Sequence, residues 1–227
     1  MKERLVVALD RSSRADILSL AGAVRGVAGM LKIGLQAYVA NGPSIVRALV
    51  ERGDKVFLDL KFHDIPNTAS HAVGEAHKLG ASIVNVHASG GAAMMRACRD
   101  AMPRGEGILL GVTVLTSLGD DDLAEVGFAQ GSETSVLRLA RLAQDAGLDG
   151  VVASPREIRA IREACGSEFV ILTPGIRGAG DAAGDQKLTM SATEAVEAGA
   201  SFVVVGRPIT DAQDPRAAAA AVWGGSC

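Results

Sequence analysis

Eight short apolar runs, each followed by a stretch of helical composition, constrain this chain more than any other feature. The runs span 5–9, 30–35, 56–60, 83–86, 108–114, 150–153, 169–172 and 202–205. Each has the length of a strand, is rich in Val, Ile or Leu, and is bounded by turn residues. Segments 14–25, 37–50, 69–78, 92–101, 135–146, 156–165, 193–198 and 216–222 carry Ala, Leu, Glu and Arg in helical proportion. Three junctions look alike: Lys78-Leu-Gly-Ala-Ser82, Asp145-Ala-Gly-Leu-Asp149 and Glu197-Ala-Gly-Ala-Ser201. Each sets a glycine just past a helix, where a left-handed cap is needed, and a strand follows. Ser191-x-x-Glu194 reads as a capping box. Eight alternating strand–helix units in 227 residues predict an α/β fold, a single (β/α)8 TIM barrel forming one domain over 1–227. An open doubly wound sheet is the alternative, although no G-x-G-x-x-G follows the first run. The polar, Gly- and Asp-rich stretch 118–134 predicts a loop with room for a short helix.

Composition removes several function classes. Lys and Arg number 23 against 26 Asp and Glu, a net charge of −3. That balance offers no basic field for nucleic acid, though a few aimed cations suffice for a small anion. No apolar run approaches the ~18 residues of a membrane span. The opening Met1-Lys-Glu-Arg puts an acid where a signal peptide carries its positive charge, so a cytoplasmic protein is expected. Cys98, Cys165 and Cys227 are odd in number and widely spaced, which fits free thiols rather than disulfides or a metal site. Aromatics are 3% of the chain, so the core must be aliphatic, as in parallel strands buried under Ala-rich helices.

In such a barrel, chemistry sits where strands end and βα loops begin. The polar residues there are Asp10, Lys32, Asp59-x-Lys61, His87, Thr116-Ser117, Ser154, Thr173-Pro-Gly and Gly206-Arg207. Asp59 and Lys61 are two apart, so a strand turns both to one face. Lys32 lies in an otherwise apolar neighbouring strand, within reach of the pair at a strand spacing of about 4.8 Å. Buried charges must be compensated, and the pattern predicts alternating ammonium and carboxylate groups. A lone Asp-x-Lys reads first as a structural ion pair, and three charges on successive strand ends shift the balance toward chemistry; Asp64 reads also as a cap for the helix opened by Pro66. His63 alternates away from Lys61 and reads as a supporting residue. At the other end, Thr173-Pro-Gly-Ile-Arg177 and Val205-Gly-Arg207-Pro follow strands 7 and 8, the usual phosphate-binding loops of this barrel. Gly206 lets backbone amides approach an oxyanion, and an Arg offers a bidentate fork. The small, polar stretch 178–186 has the composition of a lid.

These residues carry a resemblance. The segment Asp59-Leu-Lys-Phe-His-Asp-Ile-Pro-Asn-Thr68 resembles the signature of the orotidine 5′-phosphate decarboxylase family. Val6-Ala-Leu-Asp10, Leu31-Lys32-Ile-Gly, Val86-His-Ala-Ser-Gly-Gly91, Val112-Thr-Val-Leu-Thr-Ser117, Thr173-Pro-Gly-Ile-Arg177, Gly184-Asp-Gln186 and Val205-Gly-Arg207-Pro support it in the same order. The resemblance implies decarboxylation of orotidine 5′-monophosphate to UMP without cofactor or metal, by a homodimer with shared sites. It implies catalytic Lys61, Asp59, Lys32 and Asp64, with Asp64, Ile65 and Thr68 reaching into the neighbour's site. It places Asp10 and Lys32 at ribose hydroxyls and Thr116 and Ser117 at the pyrimidine. It places Pro174, Arg177, Gln186, Gly206 and Arg207 around the phosphate and base of the closed complex. Two rivals remain open: a metal-dependent sugar-phosphate barrel sharing an Asp-x-Lys-x-x-Asp pattern, and a nucleotide-binding barrel without turnover.

Overall fold

The computed structural model describes residues 1–176 and 190–224. Among these, eight strands pair in sequence order, all parallel, and the last pairs with the first to close a barrel. They are β1 (Leu5–Ala8), β2 (Met30–Gly34), β3 (Val56–Phe62), β4 (Ile83–His87), β5 (Ile108–Val112), β6 (Gly150–Val152), β7 (Val170–Thr173) and β8 (Phe202–Val205). The described helices are α1 (Arg14–Ala23), α2 (Leu35–Asn41), α3 (Ser44–Glu51), α4 (Pro66–Lys78), α5 (Gly91–Ala101), α6 (Asp120–Glu125), α7 (Ser132–Asp145), α8 (Ile158–Cys165), α9 (Ala192–Ala198), α10 (Arg207–Thr210) and α11 (Pro215–Ala221). The (β/α)8 reading of the apolar runs is thus the observed fold.

Strand alternation divides the apolar residues into two cores. Val6, Ala8, Met30, Phe57, Ile83, Leu110, Val112, Val152, Leu172 and Val204 point inward and fill the barrel. Their neighbours, among them Val7, Ile33, Leu58, Val84, Val151 and Val203, point outward onto helix residues such as Ile17, Ile45, Val73, Met94 and Ile158. Both strand faces are therefore covered, which is why the runs are continuously apolar rather than alternating.

Local signals explain the boundaries. The glycines of the three repeated junctions, Gly80, Gly147 and Gly199, all have positive φ, at 85°, 87° and 114°. Ser191 caps α9, accepting from the Glu194 amide, while Glu194 accepts from the Ser191 amide. The stretch 118–134 holds α6 and the start of α7. One expectation changes. The helix read over 37–50 is two helices, α2 and α3, separated at Gly42-Pro43. Gly42 has φ 63°, and proline disfavours a helical residue before it.

Candidate active site

Successive strands deliver alternating charges to one end of the barrel. Asp10 follows β1, Lys32 lies on β2, and Asp59 and Lys61 lie on β3. Lys32 Nζ is 3.1 Å from Asp10 Oδ1 and 3.3 Å from Asp59 Oδ2. Lys61 Nζ is 2.6 Å from Asp59 Oδ1. Asp59 thus stands between two ammonium groups, and both it and Lys32 are only 9% exposed. Burial alone raises the Asp59 carboxyl pKa. Lys32, Lys61 and hydrogen bonds from Lys61 and Asn85 outweigh it and hold Asp59 below the usual carboxylate range.

Space beside the charges is kept by Gly34. Its φ of −95° suits any residue, but a Cβ there meets Lys32 Nζ at 2.8 Å and Asp10 Oδ1 at 2.9 Å. The backbone at Lys61 is unusual. Its φ of 52° is the one positive value at a non-glycine residue among the described residues. Pairing of β3 with β4 shifts there: Leu58 faces Val84, yet the next pair is Phe62 with Val86. This is a bulge, which bends a strand and re-aims its side chains. Asn85 of β4, fully buried, sits opposite. It accepts from the Lys61 amide at 2.8 Å and donates to Asp59 Oδ1 at 2.7 Å.

Asn85 was absent from the residues singled out by sequence, because those were taken at strand ends and Asn85 is mid-strand. A signal existed: it shares the inward face of Ile83-Val-Asn-Val-His87 with Ile83, and an inward amide in an apolar strand needs partners. His87, further along, stacks at a 40° tilt on His63, with ring centroids 5.3 Å apart. Burial first, then the charges of His63 and Lys61, push the His87 pKa down.

A cavity of about 310 Å³ opens above this cluster. Asp10, Lys32, Asp59 and Lys61 form one side, Pro174, Gly206 and Arg207 another, and Phe57, Val152, Leu172 and Val204 contribute apolar lining. Thr116 also lines it. Ser117 is exposed and does not. Asp64, Ile65 and Thr68 are exposed too and lie outside the cavity lining of their own chain. Asp64 does not cap α4; its Oδ1 accepts from the Ile65 amide at 2.7 Å. Arg177, Gln186 and the stretch 178–186 lie outside the described residues. The described ends of that gap, Ile176 and Met190, pair in an isolated parallel bridge. Among the described residues, no three His, Cys, Asp or Glu side chains gather as a metal site, and no helix is long and apolar enough to cross a membrane.

Known proteins resemble this chain over nearly its whole length. A model of the orotidine 5′-phosphate decarboxylase / HUMPS family matches residues 3–222. The orotidine 5′-phosphate decarboxylase of Moorella thermoacetica is 51% identical over 229 residues, spanning 97% of this chain and 91% of its own. That of Idiomarina loihiensis is 48% identical over 221 residues, spanning 96% of each. The crystal structure of orotidine 5′-phosphate decarboxylase from Lactobacillus acidophilus superposes with a TM-score of 0.86 at 36% identity, covering 96% of both chains. With the match running from β1 through α11, the chain belongs to the orotidine 5′-phosphate decarboxylase / HUMPS family.

Proposed function

We propose that this chain, acting as one barrel domain over 1–227, decarboxylates orotidine 5′-monophosphate to UMP in pyrimidine biosynthesis in the cytoplasm. The observation that carries this reading is the Asp10–Lys32–Asp59–Lys61 sequence of charges, with Lys61 Nζ 2.6 Å from Asp59 and facing the cavity. In the reaction the bond from pyrimidine C6 to its carboxylate breaks. The electron pair stays on C6 and carbon dioxide leaves. The Lys61 ammonium stabilises the charge as it develops and then donates a proton to C6; solvent restores that proton. Because the ammonium is already held by Asp59, little reorganisation accompanies the reaction, which is the usual source of electrostatic catalysis. Asp59 also crowds the substrate carboxylate, a repulsion relieved as neutral gas forms. The chain's own lysine supplies the cation, so the proposed chemistry needs neither cofactor nor metal.

Asp10 and Lys32 are assigned to ribose hydroxyls and Thr116 and Ser117 to the base. Pro174, Gly206 and Arg207, with Arg177 and Gln186, are assigned to the phosphate end. Binding energy from that remote phosphate can be spent on ordering the charged cluster. Asp64, Ile65 and Thr68 are assigned to the neighbouring site of a homodimer. Their exposure supports this, as does an apolar surface nearby: Leu35, Val39 and Ile65 are 57%, 80% and 67% exposed at the same end of neighbouring strands. Contiguous exposed apolar patches mark protein interfaces, and Leu35 and Val39 lie about one turn apart on α2.

The test is to follow orotidylate absorbance with purified protein in excess EDTA. Turnover is expected, and none in the wild type overturns the reading. Lys61→Ala should abolish turnover while leaving a folded protein that binds UMP. Near-normal activity in that variant would refute the proton-donor role.

A further inference from the structure

We infer that Asn85 is a positioning residue for the reacting lysine, replacing the strand pairing that β3 gives up at its bulge. This rests on the decarboxylase reading of the site. Between the pairs Leu58–Val84 and Phe62–Val86, the three residues Asp59, Leu60 and Lys61 stand opposite Asn85 alone. A bulge of this kind leaves backbone groups without ladder partners, and a buried amide must find another. The Lys61 N–H finds the Asn85 side-chain carbonyl at 2.8 Å. The other end of the same planar amide donates to Asp59 Oδ1 at 2.7 Å. That oxygen also accepts from Lys61 Nζ at 2.6 Å. One rigid group therefore fixes both the backbone of the lysine and the counter-ion of its ammonium.

The chemistry of the position is selective. It needs an acceptor toward an amide and a donor toward a carboxylate, from a short side chain with no access to water. Asn meets all three. Leu fills the volume and offers neither bond, while an ionised Asp turns a second negative charge on Asp59. The left-handed φ of Lys61 is costly for a side chain of this kind and persists only where surrounding contacts over-determine it. Asn85 does not line the cavity, so it acts through Asp59 and Lys61 and not on substrate.

The experiment compares wild type, Asn85→Leu and Asn85→Asp as full-length proteins, by thermal unfolding, UMP titration and orotidylate kinetics over pH. Asn85→Leu should fold and bind UMP within about threefold of wild type, while kcat falls about 100-fold, the scale for a reacting group displaced by about 1 Å. A merely structural residue would lower the melting temperature and leave kcat per folded site intact. In Asn85→Asp, the introduced carboxyl is raised in pKa by burial and by Asp59. Once protonated it can donate to Asp59 and accept from the Lys61 amide, as the native amide does. Its activity relative to wild type should therefore climb as pH falls from about 8 to 5. A folded Asn85→Leu with kcat within about threefold of wild type overturns the inference. If that variant fails to fold, a pH-independent ratio for Asn85→Asp overturns it instead. Wild type without turnover in the same assay overturns the parent reading, so the two failures are distinguishable.

Discussion

Two residues at the charged cluster make separable predictions. At Gly34 the neighbours of an added Cβ are the tips of Lys32 and Asp10, both able to swing aside. Gly34→Ala should cost about 1 kcal/mol of stability, the usual size for a point change, and part the Lys32–Asp10 pair. Under the ribose assignment, KM for orotidylate should rise about tenfold, worth about 1.4 kcal/mol; calorimetry and steady-state kinetics on one preparation check both. Asp59 behaves oppositely, since Asp59→Asn leaves the buried Lys32 ammonium and the half-buried Lys61 ammonium short of a counter-charge. Breaking a buried pair in this way should cost about 3 kcal/mol near neutral pH. The pH dependence has a definite sign. The folded carboxyl stays ionised to lower pH than the unfolded one. Its contribution is complete above about pH 4 and disappears as pH falls through the lower folded value. The stability gap between wild type and Asp59→Asn should therefore close below about pH 4 in urea titrations, and a gap that widens there would contradict the assignment.

At the scale of elements, the strands and caps were legible because they follow from local chemistry. Gly80, Gly147 and Gly199 adopt the left-handed cap their repeated context calls for, and every apolar run coincides with a strand. The division between α2 and α3 was also written in the sequence, at Gly42-Pro43, but amphipathic continuity across 37–50 masked it. The bulge in β3 was not legible. Simple alternation already turns Asp59 and Lys61 to one face, so nothing in the spacing reveals a shifted register; that depends on which β4 residue lies opposite. Asn85 was overlooked for the same reason. The opposite end of the barrel gives an element-level contrast. Arg162 of α8 donates to the carbonyls of Gly166, Ser167 and Phe169 at 2.6, 2.8 and 2.7 Å, and to that of Gly199 at 2.6 Å. It ties the exit of α8 to the approaches of β7 and β8, far from the cavity. Hydrogen bonds from a charged donor contribute about 1.5–3 kcal/mol, and residues at this face of a barrel serve stability rather than catalysis. Arg162→Ala should thus lose about 2 kcal/mol of unfolding free energy in denaturant melts with kcat unchanged.

For the whole molecule, Asp64, Ile65 and Thr68 stand exposed beside the site that the proposed function assigns them to in a neighbouring chain. In one chain Asp64 and Ile65 lie on the β3–α4 connection and Thr68 in the first turn of α4, and none of them lines its own cavity. The proposed two-fold dimer would account for this: an isologous interface uses the same patch on both chains, so each chain's loop can face the other's cavity, with the exposed Leu35, Val39 and Ile65 as apolar surface for it. The arrangement has a consequence that contact data alone cannot mimic. Lys61→Ala and Asp64→Asn should each be inactive when pure, since every site lacks one group. In a mixed dimer, the site built on the Asp64→Asn chain keeps its own Lys61 and receives an intact Asp64 from the other subunit. The second site lacks both. With random exchange about half the dimers are mixed, each with one working site of two, so the mixture should regain about a quarter of wild-type activity. Mass spectrometry of differently tagged subunits establishes the exchange. Proven exchange without regained activity would mean that each barrel completes its own site, and the exposed Asp64 would then need another role.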